Sequence, residues 1–188
     1  MDIVLASKSP RRKELLKLLD LDFKIITADI DETMDPTLPV ADEVARLSFD
    51  KAAAVKSVVP GDTIIISADT VVELEGKVMG KPKDKADAFN MLKILSGNTH
   101  NVLSGITVMK GDRHISKTIV TKVHFREISD QEINAYIETL EPMDKAGSYG
   151  IQGRGSKFVS GIVGDYFNVV GLPVCELSLL LKEFDINI

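Results

Sequence analysis

Tryptophan is absent, cysteine occurs once, and aromatic residues make up only 5% of the 188-residue chain. The lone Cys175 excludes an intramolecular disulfide framework and any Cys-rich zinc site. No run of hydrophobic residues is longer than four, which excludes a membrane-spanning helix and the apolar core of a secretory leader. The strand-like Ile3-Val4-Leu5-Ala6 begins so close to Met1 that no room is left for a leader, and a cytoplasmic protein is expected. Scarce aromatics leave no stacking platform for single-stranded nucleic acid. With 23 basic against 28 acidic residues the net charge is −5, which argues against a protein that grips a nucleic-acid backbone.

What is present is an ordinary globular composition, 44% hydrophobic and 27% charged, in a chain long enough for one domain over residues 1–188 with a substantial core. Early strand–helix alternation and later hairpin patterns predict an α/β fold with a mixed sheet flanked by helices. Strands are expected at 2–6, 23–27 and 63–67, and a hairpin around Glu75-Gly76 joins Val71-Val72 to Val78-Met79. A long antiparallel pair is expected over 98–126, with short strands at 157–163 and 166–170. Helices are expected from Ser7 to Leu19, 40–56, 84–95, after Ser129, and 174–184. Pro10 suits the first helical position behind an N-cap Ser9, and Leu15, Leu16, Leu18 and Leu19 supply the buried stripe. Ser129-Asp130-Gln131-Glu132 is a capping box. Cys175 is expected to fill core on the last helix.

The charge is unevenly distributed. Ser9-Pro10-Arg11-Arg12 places two guanidinium groups where a strand hands over to a helix N-terminus, a poor site for cations unless an anion such as phosphate joins them. The bland alternative is a solvated first turn. Asp69-Thr70 follows the 63–67 strand, and an acid at the end of a buried strand must be paired, metal-bound or catalytic. Glu32 belongs to an acidic cluster with Asp29, Asp31 and Asp35. Lys81 sits in Gly80-Lys81-Pro82, and Lys51 reads as a lysine snorkelling from mid-helix. His100, His114 and His124 have no metal-ligand spacing and read as structural. The glycine-rich stretch from Gly147 to Gly153 suits a backbone laid close to a ligand, with the Gln152 amide able to read a base or sugar edge.

Leu5-Ala6-Ser7 with Ser9-Pro10-Arg11-Arg12, Ala68-Asp69-Thr70-Val71-Val72, Gly80-Lys81-Pro82, Leu95-Ser96-Gly97 with His100, Glu141-Pro142-Met143-Asp144-Lys145-Ala146-Gly147, Gly150-Ile151-Gln152-Gly153 and Gly171-Leu172-Pro173 occur in this order. The set resembles the Maf family of nucleoside triphosphate pyrophosphatases over almost the whole chain. The resemblance implies an inosine-triphosphatase-like fold with two lobes around a deep cleft, and hydrolysis of nucleotides between the α- and β-phosphates. It implies Asp69 as proton acceptor, and Arg11, Thr70 and Gln152 at positions linked to substrate choice in the branch that acts on dTTP and UTP. Thr70 distinguishes that branch from the one acting on 7-methyl-GTP. Ser9, Arg11, Arg12, Lys51 and Lys81 are then expected on the triphosphate, and Asp69 with Glu32 on a divalent cation, magnesium or manganese. An ordinary aspartate, with a pKa of about 3.9, is a weak base for water, so Asp69 as base and Asp69 as metal ligand both stay open. A homodimer is implied by resemblance alone. The rival expectation is a non-enzymatic regulator of septum formation or cell division, acting through protein or nucleic-acid binding.

Overall fold

The computed structural model describes residues 2–188. Its seven strands form one mixed sheet: β1 (Ile3–Leu5), β2 (Lys24–Ile25), β3 (Ile64–Leu74), β4 (Lys77–Met79), β5 (Thr99–Lys110), β6 (Arg113–Phe125) and β7 (Val159–Val163). The order is β2-β1-β3-β5-β6-β7, with β4 paired to β3 off this path. β1 lies parallel to both β2 and β3, whereas β3–β4 and β6–β7 are antiparallel. The helices are α1 (Pro10–Lys17), α2 (Val40–Lys56), α3 (Lys85–Leu95), α4 (Asp130–Ile137), α5 (Tyr166–Val170) and α6 (Val174–Lys182). The expected α/β architecture, a mixed sheet with flanking helices, is what the chain adopts. Among the described residues no helix is long and apolar enough to cross a membrane.

Local chemistry explains most boundaries. Ser9 caps α1 by accepting from the Arg12 N–H, with Pro10 in the first turn. Asp84 caps α3 by accepting from the Asp87 N–H at 2.8 Å. The Ser129–Glu132 capping box opens α4. The chain turns between Leu74 and Lys77 as expected, with Val72 opposite Met79.

Four local expectations are corrected. β3 runs on to Leu74, so Asp69 and Thr70 lie inside a strand instead of after one. β2 has only two residues, because its partner β1 has just three. Residues 166–170 form a helical turn, α5, not a strand; the Asp165 carboxylate accepts from the Phe167 N–H and starts the turn. Leu18 and Cys175 are exposed instead of buried. Leu18 falls beyond the last turn of α1, and Cys175 shares α6 with Val174, Leu177, Leu180 and Leu181, which occupy its buried face.

The contacts divide the chain into two compact units, one comprising residues 1–69, 104–119 and 171–188 and the other 70–103 and 120–170. In the first, Ala52 and Val55 of α2 pack with Val4, Ile65 and Met109 from three strands. Gly105 lets β5 approach α2 closely: a Cβ there would meet the Val44 carbonyl oxygen at 2.2 Å. In the second, Ala88, Leu92 and Leu95 of α3 and Ile133 and Ile137 of α4 pack on Val72, Val102, Val123 and Phe125. His100 is buried there, with Nε2 2.8 Å from the Tyr149 hydroxyl and its ring edge-on to Phe125. Burial lowers its pKa to about 4, so the ring is neutral at physiological pH.

Candidate active site

The first unit gathers charge around Asp69. The strand places this residue in the core, where it is 9% exposed, so its carboxylate needs a partner. Lys51 supplies it, with Nζ 2.5 Å from Asp69 Oδ1 and 2.8 Å from Glu32 Oε1. Lys51 therefore does not snorkel: only 14% of its side chain is exposed, and α2 points it at the sheet. Glu32 remains mostly exposed, at 60%, and joins from a loop.

Arg12 completes the surroundings. Its Nη1 donates to the Ala68 carbonyl at 2.7 Å and to Ser7 Oγ at 3.2 Å, and its Nε donates to the Gly171 carbonyl at 2.8 Å. Burial pulls its pKa down, the negative charge of Asp69 opposes that shift, and the neighbouring Arg11 adds to it. Arg12 thus ties the start of α1 to β3 and to the segment before α6, and it places positive charge beside Asp69. Arg11, half-exposed in the first turn of α1, presents the second guanidinium. Ser9 is committed to the helix cap.

The loop carrying Glu32 is itself anchored. Glu43 of α2 is 1% exposed. Its Oε2 accepts from the Asp35 N–H at 2.6 Å, and both of its oxygens accept from Arg46 at 2.8 Å. Arg46 also donates to the Thr33 carbonyl at 2.9 Å and to Asp50 at 2.8 Å. The hydrogen bonds from Arg46, then the one from the Asp35 N–H, hold the Glu43 carboxyl down at about 2. Glu43 and Arg46 were not among the residues singled out from the sequence; their spacing of three on a helix was the available signal.

The remaining expected site residues belong to the second unit. Thr70 follows Asp69 in β3 and is half-exposed. Lys81 and Gln152 are exposed. The structure brings their two segments into register within that unit: the Gly147 N–H donates to the Gly80 carbonyl at 3.1 Å, next to Lys81.

Two carboxylate oxygens, from Asp69 and Glu32, converge on the single Nζ of Lys51. Among the described residues no group of three or more His, Cys, Asp or Glu side chains is placed to hold a metal. Asp69 and Glu32 are hard oxygen donors of the kind magnesium and manganese take alongside water and substrate phosphates, but both are engaged by the Lys51 ammonium, with which a cation would compete.

A family model described as Maf-like protein matches residues 2–184. A protein of Alkaliphilus oremlandii (strain OhILAs) named dTTP/UTP pyrophosphatase is 49% identical, over 99% of this chain and 98% of its own length. One of the same name from Bacillus cereus (strain AH187) is 46% identical, over 99% of this chain and 97% of its own. The solved Ham1 protein of Staphylococcus aureus aligns with a TM-score of 0.46 and 21% identity, over 85% of this chain and 80% of its own. The chain belongs to the Maf-like protein family.

Proposed function

We propose that this protein hydrolyses dTTP and UTP to the monophosphate and pyrophosphate. The observation that carries the reading is the buried Asp69 paired with Lys51, which also holds Glu32, with Arg12 beside it at the start of α1. Relatives that share almost the full length and are named for this activity support the choice of nucleotide.

Phosphoryl chemistry of this kind depends on positioning and charge. Arg11, Lys51 and Lys81 neutralise the triphosphate, and Arg12 adds fixed charge while bracing the helix start that Ser9 caps. Asp69 orients the attacking water and accepts its proton. The new bond forms from water oxygen to the α-phosphorus, the bridge to the β-phosphate breaks, and pyrophosphate leaves. Asp69 and Glu32 would hold a divalent cation, magnesium or manganese, which when bound supplies Lewis-acid charge to the phosphate oxygens. Thr70 and Gln152 face the base. Uracil and thymine share O2, N3–H and O4, which an amide offering both donor and acceptor matches. Cytosine reverses the pattern at N3 and N4 and leaves a site group unpaired. The reading includes a cytoplasmic enzyme and a homodimer; the homodimer rests on resemblance and is tested by solution mass.

The test is pyrophosphate release from dTTP, UTP, CTP, ATP and 7-methyl-GTP, with and without magnesium or manganese. Turnover of dTTP and UTP with metal, and much weaker turnover of the others, is expected. Equal turnover of ATP or 7-methyl-GTP overturns the pyrimidine assignment, and full activity after chelation overturns the metal assignment.

A further inference from the structure

In the second unit one carboxylate holds the whole loop around Gln152. Glu141 Oε2 accepts from the Arg154 N–H at 2.9 Å, and Oε1 accepts from the Gly155 N–H at 3.2 Å and from the Tyr136 hydroxyl at 2.9 Å. The Tyr136 oxygen in turn accepts from the Gly150 N–H at 3.1 Å. Both ends of the 150–155 loop are therefore fastened to Glu141, one directly and one through Tyr136. The fit is tight: a Cβ at Gly153 would lie 2.3 Å from Glu141 Oε1. The chain accepts backbone strain just before Glu141 and just before the loop, with Leu140 and Ser148 in the left-handed region at φ 60°, where non-glycine residues persist only when their surroundings dictate it. Neither Glu141 nor Tyr136 is needed by the phosphate chemistry above.

We infer that Glu141 is the positioning residue for base selection: it fixes the backbone that aims the Gln152 amide, and so sets the preference for uracil and thymine over cytosine. This rests on the reading of Gln152 as the base-contacting residue. A loop free to shift by an ångström would present donor and acceptor indiscriminately, and positional precision in a supporting residue is what such discrimination requires.

The experiment compares Glu141→Gln, Gln152→Ala and the double variant in steady-state kinetics with UTP and CTP, together with amide hydrogen exchange of Gly150, Arg154 and Gly155 by NMR. A carboxamide keeps the shape but offers one acceptor oxygen in place of two. Glu141→Gln is expected to raise exchange at Arg154 and Gly155 about tenfold or more, and to shrink the UTP-over-CTP ratio of kcat/KM about tenfold, chiefly through KM. The double variant is expected to be no less selective than Gln152→Ala alone, since Glu141 acts through Gln152. Gly153→Ala, which must displace the carboxylate without altering it, gives the same pattern and serves if Glu141→Gln fails to fold. Unchanged exchange in folded Glu141→Gln overturns the inference. So does an unchanged UTP/CTP ratio when Gln152→Ala has lost it, a result that leaves the base reading standing. A Gln152→Ala enzyme of unaltered selectivity overturns the base reading itself, and the selectivity role of Glu141 with it.

Discussion

Residues 31–37 and residues 150–155 are both loops anchored on a glutamate, and the two anchors use different chemistry. Glu43 is neutralised by an Arg46 fork and accepts from the Asp35 backbone N–H. The Glu141 carboxylate takes its hydrogen bonds from neutral donors, two backbone N–H groups and a tyrosine hydroxyl, while the Lys145 ammonium donates to the Glu141 backbone carbonyl at 2.7 Å. The first loop carries a carboxylate, Glu32, to a lysine, and lies among further acids; a cation in its anchor offsets that charge. The second loop carries a neutral amide and is built from glycines, so its backbone itself can close on the carboxylate. Burial pushes Glu141 up, but the Arg154 N–H, the Tyr136 hydroxyl, the Gly155 N–H and the nearby charge of Lys145 outweigh it, and the carboxyl lies below its ordinary value. Both anchors are therefore ionised at neutral pH. Each stabilises the fold above the ordinary carboxylate range, and that contribution fades as pH falls through the depressed native value, for Glu43 between about 4.5 and about 2.

On the proposed function the contrast is between a region around Asp69 that would perform the chemistry and a loop around Gln152 that would read the base, and substitutions in one should spare the other. The largest effect is expected from Asp69→Asn, which should lower kcat about 10²–10⁴-fold while circular dichroism shows the fold intact. Arg11→Ala should lower kcat/KM roughly 10–100-fold for every triphosphate tested. Arg11→Lys should recover only part, because an ammonium has no bidentate fork. Glu43→Gln loosens the Glu32 loop and should cost about tenfold in activity with magnesium, with the UTP/CTP ratio unchanged; a changed ratio would break the division of labour. The smallest effect concerns stability alone. His100 keeps a native pKa of about 4 against 6.5 when free, so the unfolded chain takes up its proton first. Denaturant titrations should show stability falling as pH drops from 6.5 to 4, by up to about 3 kcal/mol. His100→Gln should remove that slope.

Features set by near neighbours were legible in the residues. The Ser9-Pro10 helix start, the Ser129–Glu132 box and the turn at Glu75-Gly76 are each a contact over a few positions, and all occur as expected. What escaped depends on distant partners. Lys51 looks like a surface lysine until Asp69, eighteen residues on, is brought against it. Asp69 looked like a strand terminus because its side chain is polar, but the strand continues through it since Lys51 neutralises the charge. Tyr166 to Val170 is the local exception: its side chains are strand-like, and the adjacent Asp165 carboxylate, accepting from the Phe167 N–H, overrides that preference. Glu141 stood in a recognised motif, yet its role appears only when Arg154 and Gly155 fold back onto it.

The central claim, that base reading is separable from the chemistry at Asp69, is tested most directly by the ratio of UTP to CTP dissociation constants of folded Asp69→Asn, measured by calorimetry with magnesium. The account predicts that this protein, which barely turns over, still binds UTP more tightly than CTP by a factor close to the wild-type ratio of kcat/KM. Equal affinity for the two nucleotides would contradict it.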